Sequence, residues 1–132
     1  EFAAGTLPSE DMPDVIAIGG TVYLVMNDTL LVTHDLTDFK AVTLGEDVKV
    51  SDIIEVDGEF FALGSKTVSE NYFEISVFGE KDGEFEKQFG FFAYATAGSF
   101  CADGDSFYVS LGQREYPALI RDAGRVVAVK RR

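Results

Sequence analysis

Three stretches of this 132-residue chain follow one grammar, and no other feature limits its fold as tightly. Each has a hydrophobic strand, a glycine turn, a second hydrophobic strand, then two more strands around an acidic turn. The first runs Asp14 to Gly20, Thr21 to Met26, Leu30 to Asp35 and Phe39 to Val42. The second runs Asp52 to Gly58, Glu59 to Gly64, Tyr72 to Phe78 and Glu84 to Phe89. The third runs Ser99 to Gly104, Asp105 to Gly112, Pro117 to Ile120 and Arg125 to Val129. The glycine turns fall at Gly20, Gly58 and Gly104, with spacings of 38 and 46 residues, and the acidic turns at Asp35, Asp82 and Asp122, with spacings of 47 and 40. Two landmarks recurring in step point to an internal repeat. Turn residues that tolerate positive φ stand where hairpins need them. Val22–Met26 and Phe60–Leu63 are apolar at successive positions, so both faces of those strands need cover.

Four-stranded meanders at this period predict propeller-type blades, here spanning residues 14–47, 48–92 and 93–132 of one all-β domain. Residues 1–13, with Pro8 and Pro13, read as an extended N-terminal arm, and Glu1-Phe2 matches a cloning junction. At the turn between third and fourth strands, Thr33-His-Asp-Leu-Thr-Asp-Phe39 resembles the Asp-box of sialidase-like β-propellers. Lys81-Asp-Gly-Glu-Phe85 lacks the hydroxyl of that motif, and Arg121-Asp-Ala-Gly-Arg125 lacks the aromatic as well. The alternative architecture is a two-sheet β-sandwich of about a dozen short strands, which evenly spaced turns also fit.

Three blades form an arc rather than a ring, because propellers close with about four to eight blades. An open arc leaves terminal blade faces to be covered. Two copies would complete a six-bladed ring, each arc's start meeting the other's end, or a different chain would supply the missing blades. A third arrangement makes the sequence a piece of a longer propeller. Charge favours the two-copy ring. The chain carries 23 acids against 11 bases, for a formal net charge of −12. Residues 1–113 hold a net −16 with no arginine, and residues 114–132 hold a net +4. Opposite ends of opposite sign attract.

The same acidity argues against nucleic-acid binding and against docking on anionic membranes. No apolar run approaches the roughly 18 residues of a spanning helix. A single cysteine, Cys101, excludes an internal disulfide and reads as a buried structural thiol, having no basic neighbour to activate it. His34, the only histidine, sits beside Asp35 in an acidic turn, without the spaced partners that acid/base or metal chemistry needs. Asp103-Gly-Asp105 and Asp57-Gly-Glu59 place oxygen ligands near tight turns as calcium loops do, yet Asp-Gly is also a leading hairpin signal. The turn reading is preferred, leaving Asp103, Asp105 and His34 as weak ligand candidates. Sialidase-like enzymes hold their substrate carboxylate with arginines from separate blades; the lack of arginine before Arg114 removes that pattern and the activity it implies. No nucleophile elbow or phosphate loop is present.

Aromatic residues crowd the link between the second and third units. Phe89 and Phe100 read as core, whereas Phe91, Phe92 and Tyr94 read as interface candidates, joined at the basic end by Arg125, Lys130, Arg131 and Arg132. The resulting expectation is a non-enzymatic assembly or binding module without cofactors or metals. Its expected partner is a second copy of itself or another protein chain, as in a virus or phage structural component. The alternative function is a lectin-like propeller binding carbohydrate through its aromatics, with an Asp-box glycoside hydrolase fragment ranked below it.

Overall fold

A computed structural model describes residues 14–112 and 122–130. Their regular structure is entirely strand: β1 (Asp14–Ile18), β2 (Thr21–Met26), β3 (Thr29–Thr33), β4 (Lys40–Val42), β5 (Lys49–Val56), β6 (Glu59–Ser69), β7 (Tyr72–Lys81), β8 (Glu84–Ala93), β9 (Thr96–Asp103), β10 (Ser106–Gly112) and β11 (Val126–Lys130). Three antiparallel sheets result, none closed on itself. Sheet A is β1-β2-β3-β4, sheet B is β5-β6-β7-β8, and sheet C is β11-β10-β9. Among the described residues no helix is long and apolar enough to cross a membrane.

Local chemistry explains the meanders. β-Branched and aromatic residues dominate the strands, and two-residue hairpins join them. Asp57 and Gly58 both take positive φ (51° and 83°), as do Asp82 and Gly83 (55° and 84°). That pairing is the type I′ turn, whose twist matches the flanking strands. A repeated contact reinforces both turns: the Gly58 N–H donates to Glu55 Oε2 at 2.7 Å and the Gly83 N–H to Glu80 Oε2 at 2.9 Å.

The sheets pack face on face with sheet B in the middle. The first strand of each later sheet lies across its predecessor, β5 against β1, β2 and β3, and β9 against β5, β6 and β7. Between A and B, Tyr23, Val25, Leu30, Ile53, Phe60, Ala62 and Phe78 form one core. Between B and C, Leu63, Ile75, Val77, Phe100, Phe107, Val109 and Leu111 form another. Alternation along β6 explains the division, since Phe60 and Ala62 point to sheet A, while Phe61 and Leu63 point to sheet C. Tyr23 is buried against Phe60 (ring centroids 4.5 Å apart), and its hydroxyl bonds to Glu80. Burial, followed by the charge of Glu80, pushes the Tyr23 pKa up to about 12.

Bulges redirect side chains between these two cores. The β5–β6 register shifts between Val50 and Asp52, so Val50 and Ile53, three residues apart, both face sheet A. The β9–β10 register shifts between Val109 and Leu111, and Ala97 and Phe100 are likewise both buried toward sheet B. The β7–β8 register shifts at Val77/Phe78, sending Phe85 to sheet A and Phe89 to sheet C.

Three expectations are corrected. β11 pairs directly with β10, so the Arg125–Val129 stretch takes the third place in its sheet rather than the fourth. The hydrogen bonds Leu111 N to Arg125 O (2.8 Å) and Gly124 N to Leu111 O (2.8 Å) secure that pairing. The expected strand at Pro117–Ile120 lies outside the described residues, as does the arm of residues 1–13. Cys101 is exposed rather than buried. It follows inward-facing Phe100 on β9, and alternation turns its thiol outward. The sheets are three in number, not the two of a sandwich.

Candidate functional site

The Asp-box-like turn between β3 and β4 is built from its own side chains. Thr33 Oγ1 accepts from the Leu36 N–H at 3.0 Å, and Asp35 Oδ1 accepts from the N–H groups of Thr37 and Asp38, both at 2.9 Å. The Thr33 hydroxyl donates to Asp35 Oδ1 at 3.2 Å, closing the network. Leu36 takes a positive φ of 62°, which this web of bonds sustains. His34 is exposed and lies 3.3 Å from Thr21 Oγ1 through Nδ1. The threonine and aspartate therefore shape the turn, and the histidine stands apart from that bonding.

The backbone N–H groups of Asp38 and Thr37, in that order, hold the Asp35 carboxyl below its ordinary range. A depressed carboxylate stabilises the fold above the unfolded pKa of about 3.9, and that contribution is lost as pH falls through the folded pKa. The Thr37 and Asp38 amide shifts in an NMR titration should therefore report a midpoint below the usual aspartate value. Asp35→Ala should speed the exchange of both amides. A midpoint at or above the usual value would contradict this account of the turn.

Asp103 and Asp105 flank Gly104 at the β9–β10 turn, and Asp105 pairs with Lys130 at 3.6 Å. Among the described residues no group of three or more His, Cys, Asp or Glu side chains is arranged to hold a metal ion. Arg125 Nη1 lies 3.6 Å from Asp122 Oδ1. Asp122 also ties the β11 approach to the end of sheet B, its Oδ2 accepting from the Tyr94 N–H at 2.7 Å and its own N–H donating to Tyr94 O at 3.0 Å. Arg131 and Arg132 lie outside the described residues.

The aromatic candidates divide by face. Phe91 packs onto the B–C core with Phe89, whereas Phe92, its neighbour on β8, turns to the other side of the sheet and is 55% exposed. Its ring stacks on Tyr72 (centroids 5.7 Å apart, planes 16° apart), and Tyr72 contacts Tyr94 at 4.6 Å.

Two further surface features lie outside the sites expected from sequence. The outward face of sheet C carries the cross-strand row Cys101–Tyr108–Ala128, with Val126 beside it and 68% exposed. Their positions follow from alternation against buried Phe107 and Val109, a signal present in the sequence once β11 is placed next to β10. The second is a groove of about 240 Å³ on the sheet-A side of sheet B, lined by Gly64, Lys66, Glu74, Ser76 and Lys87 and walled by residues 44–48. Lys87 Nζ pairs with Glu74 Oε2 there. Compared with protein-family models, curated proteins and solved structures, the chain matches none.

Proposed function

We propose that the chain is a non-enzymatic assembly module of propeller type, an arc of blade-like sheets completed by a second copy of itself. One observation carries this reading. Sheet B has a neighbouring sheet packed on each face, whereas sheet C has one on a single face and leaves Cys101, Tyr108, Val126 and Ala128 in water on the other. A tyrosine between small and branched apolar residues, rimmed by Lys130 and Ser110, has the composition of an interface centre. The far face of sheet A carries an apolar cross-strand row, Val15–Leu24–Leu31–Ala41, whose ends Val15 and Ala41 are exposed while Leu31 is half-buried and Leu24 is buried. Sheet A lies wholly in the acidic residues 1–113, and of sheet C only β11 lies in the basic residues 114–132, so charge favours contact between β11 and sheet A.

Light scattering on a sizing column, at two protein and two salt concentrations, tests the proposal. The expected particle has about twice the 14.4 kDa chain mass and dissociates as salt rises. Tyr108→Glu with Val126→Glu should yield a monomer that melts like the parent chain. A parent chain that stays monomeric at every concentration would sink self-closure.

Carbohydrate binding is a second reading, favoured by the exposed Tyr72–Phe92 stack.

A further inference from the structure

We propose that the groove on sheet B binds one residue of a neutral oligosaccharide, with Phe92, the cross-strand neighbour of its lining residue Glu74, beside it. This deepens the carbohydrate reading and does not depend on the assembly interface, which lies on sheet C.

The groove arises from unequal strand lengths. Strands β6, β7 and β8 are 11, 10 and 10 residues long, against 6, 5 and 3 for β2, β3 and β4. Sheet A therefore covers only the Phe60, Ala62 and Phe78 end of its side of sheet B. Beyond it, residues 44–48 form a wall, with Val48 seated over Gly64, where a Cβ would stand 2.7 Å from Val48 Cγ1.

The floor is the cross-strand row Gly64–Ser76–Gly90, and the next row outward is Lys66–Glu74–Phe92. Gly90 is needed here. A Cβ on it would meet Ser76 Oγ at 2.7 Å, the Ile75 carbonyl oxygen at 3.0 Å and Lys87 Cε at 3.2 Å. Its absence lets the Lys87 stem cross the sheet to reach Glu74. The β7–β8 register shift puts Lys87 opposite Phe78 on this face in the first place.

The chemistry fits a sugar better than a peptide or an ion. The Lys87 ammonium and Glu74 carboxylate are held side by side and remain partly exposed, a donor and an acceptor set for neighbouring hydroxyls. Glu46, Lys66, Glu74 and Lys87 line the groove with no net charge, which favours an uncharged ligand. Phe92, directly opposite Glu74, offers an exposed ring backed by Tyr72, a platform for the apolar face of a pyranose. The volume suits about one sugar ring, with Leu44, Val48 and Phe78 as apolar lining beside the glycine and serine floor and the charged rim.

The full chain should be titrated with maltohexaose, cellohexaose, mannohexaose and chitohexaose, followed by saturation-transfer NMR and calorimetry. Saturable binding to at least one is expected. Phe92→Ala and Glu74→Gln should each weaken it about tenfold or more, with melting temperatures unchanged, while Lys81→Ala on the far end of β7 binds as the parent does. Should Phe92→Ala fold poorly, Phe92→Leu keeps the bulk and should lose affinity by removing the ring alone. No saturable binding to any of the four sugars, or equal affinity without the Phe92 ring, would overturn the proposal. Neither result depends on oligomer mass, so the groove and the sheet C interface stand or fall separately.

Discussion

Phe107→Ala is expected to destabilise the fold by about 3–5 kcal/mol, the range for emptying a large aromatic site in a core. Phe107 is 1% exposed and stands on β10 at the centre of the contact between sheets B and C. Its ring meets Phe61 of β6 at 5.2 Å, Phe89 of β8 at 5.6 Å and Phe100 of β9 at 5.7 Å. Those residues come from three strands that cannot close over the vacated volume without shifting both sheets. A domain of this size has a total stability of about 5–15 kcal/mol, so the variant should lose a large share of it. Urea melts should show a midpoint shift with little change in slope. Amides of β9 and β10 should lose exchange protection more than those of β2 and β3, because the A–B core is separate. Phe107→Leu, which keeps much of the volume, should cost clearly less. Val68→Ala at an exposed site on β6 should stay within about 0.5 kcal/mol. A loss under about 1 kcal/mol for Phe107→Ala would mean that the two sheets are not joined through this ring.

How far such a core could be read from sequence is visible in particular residues. Turn chemistry was legible: Asp57-Gly58 and Asp82-Gly83 need positive φ, and hairpins stand at both. Strand ends were less so. β6 continues through Lys66 to Ser69 and β8 through Phe91 to Ala93, because the overhanging end of sheet B tolerates polar residues in a paired strand. Bulges were illegible, since a one-residue slip leaves no mark in composition. Phe85 and Phe89 share one face by simple alternation but pack on opposite sides of sheet B. The same slip hid the groove, because it decides that Lys87 lies on the face of Glu74. Cys101 differs for another reason: the lack of a basic neighbour does not decide burial, while alternation with Phe100 sends it out to the Tyr108 row. In the third unit the repeat pattern places Arg125–Val129 fourth, whereas β11 bonds straight to β10.

Asp52→Ala should cost about 2–3 kcal/mol near neutral pH and should also change how stability varies with pH. Asp52 lies at the β5 bulge, where the ladder is interrupted and its carboxylate replaces the missing acceptors. Oδ1 accepts from the Ile53 N–H at 2.9 Å, and Oδ2 reaches across to sheet C to accept from the Phe100 N–H at 3.1 Å. Alanine would leave both donors unpaired in a part-buried setting, at about 1–3 kcal/mol each, offset by relief from holding a charge there. Burial is the main influence on this group and raises its pKa. The two N–H donors pull it back down, and the Asp14 charge adds to the rise. With the folded pKa above the unfolded value of about 3.9, the native state holds a proton over an interval in which the unfolded chain has released it. Stability from this group therefore falls as pH rises from the unfolded to the folded pKa, and the cost is complete above that interval. Asp35 acts with the opposite sign at lower pH, so the two are separable. Asp52→Asn removes the charge but keeps one acceptor oxygen, so it should lose less stability than alanine and abolish the Asp52 slope. Urea midpoints for the parent and both variants across pH 4 to 8 would measure these effects. An unchanged slope in Asp52→Asn would rule out the buried carboxylate as its source. Equal costs for asparagine and alanine would show that the bonds to Ile53 and Phe100 contribute little to joining sheets B and C.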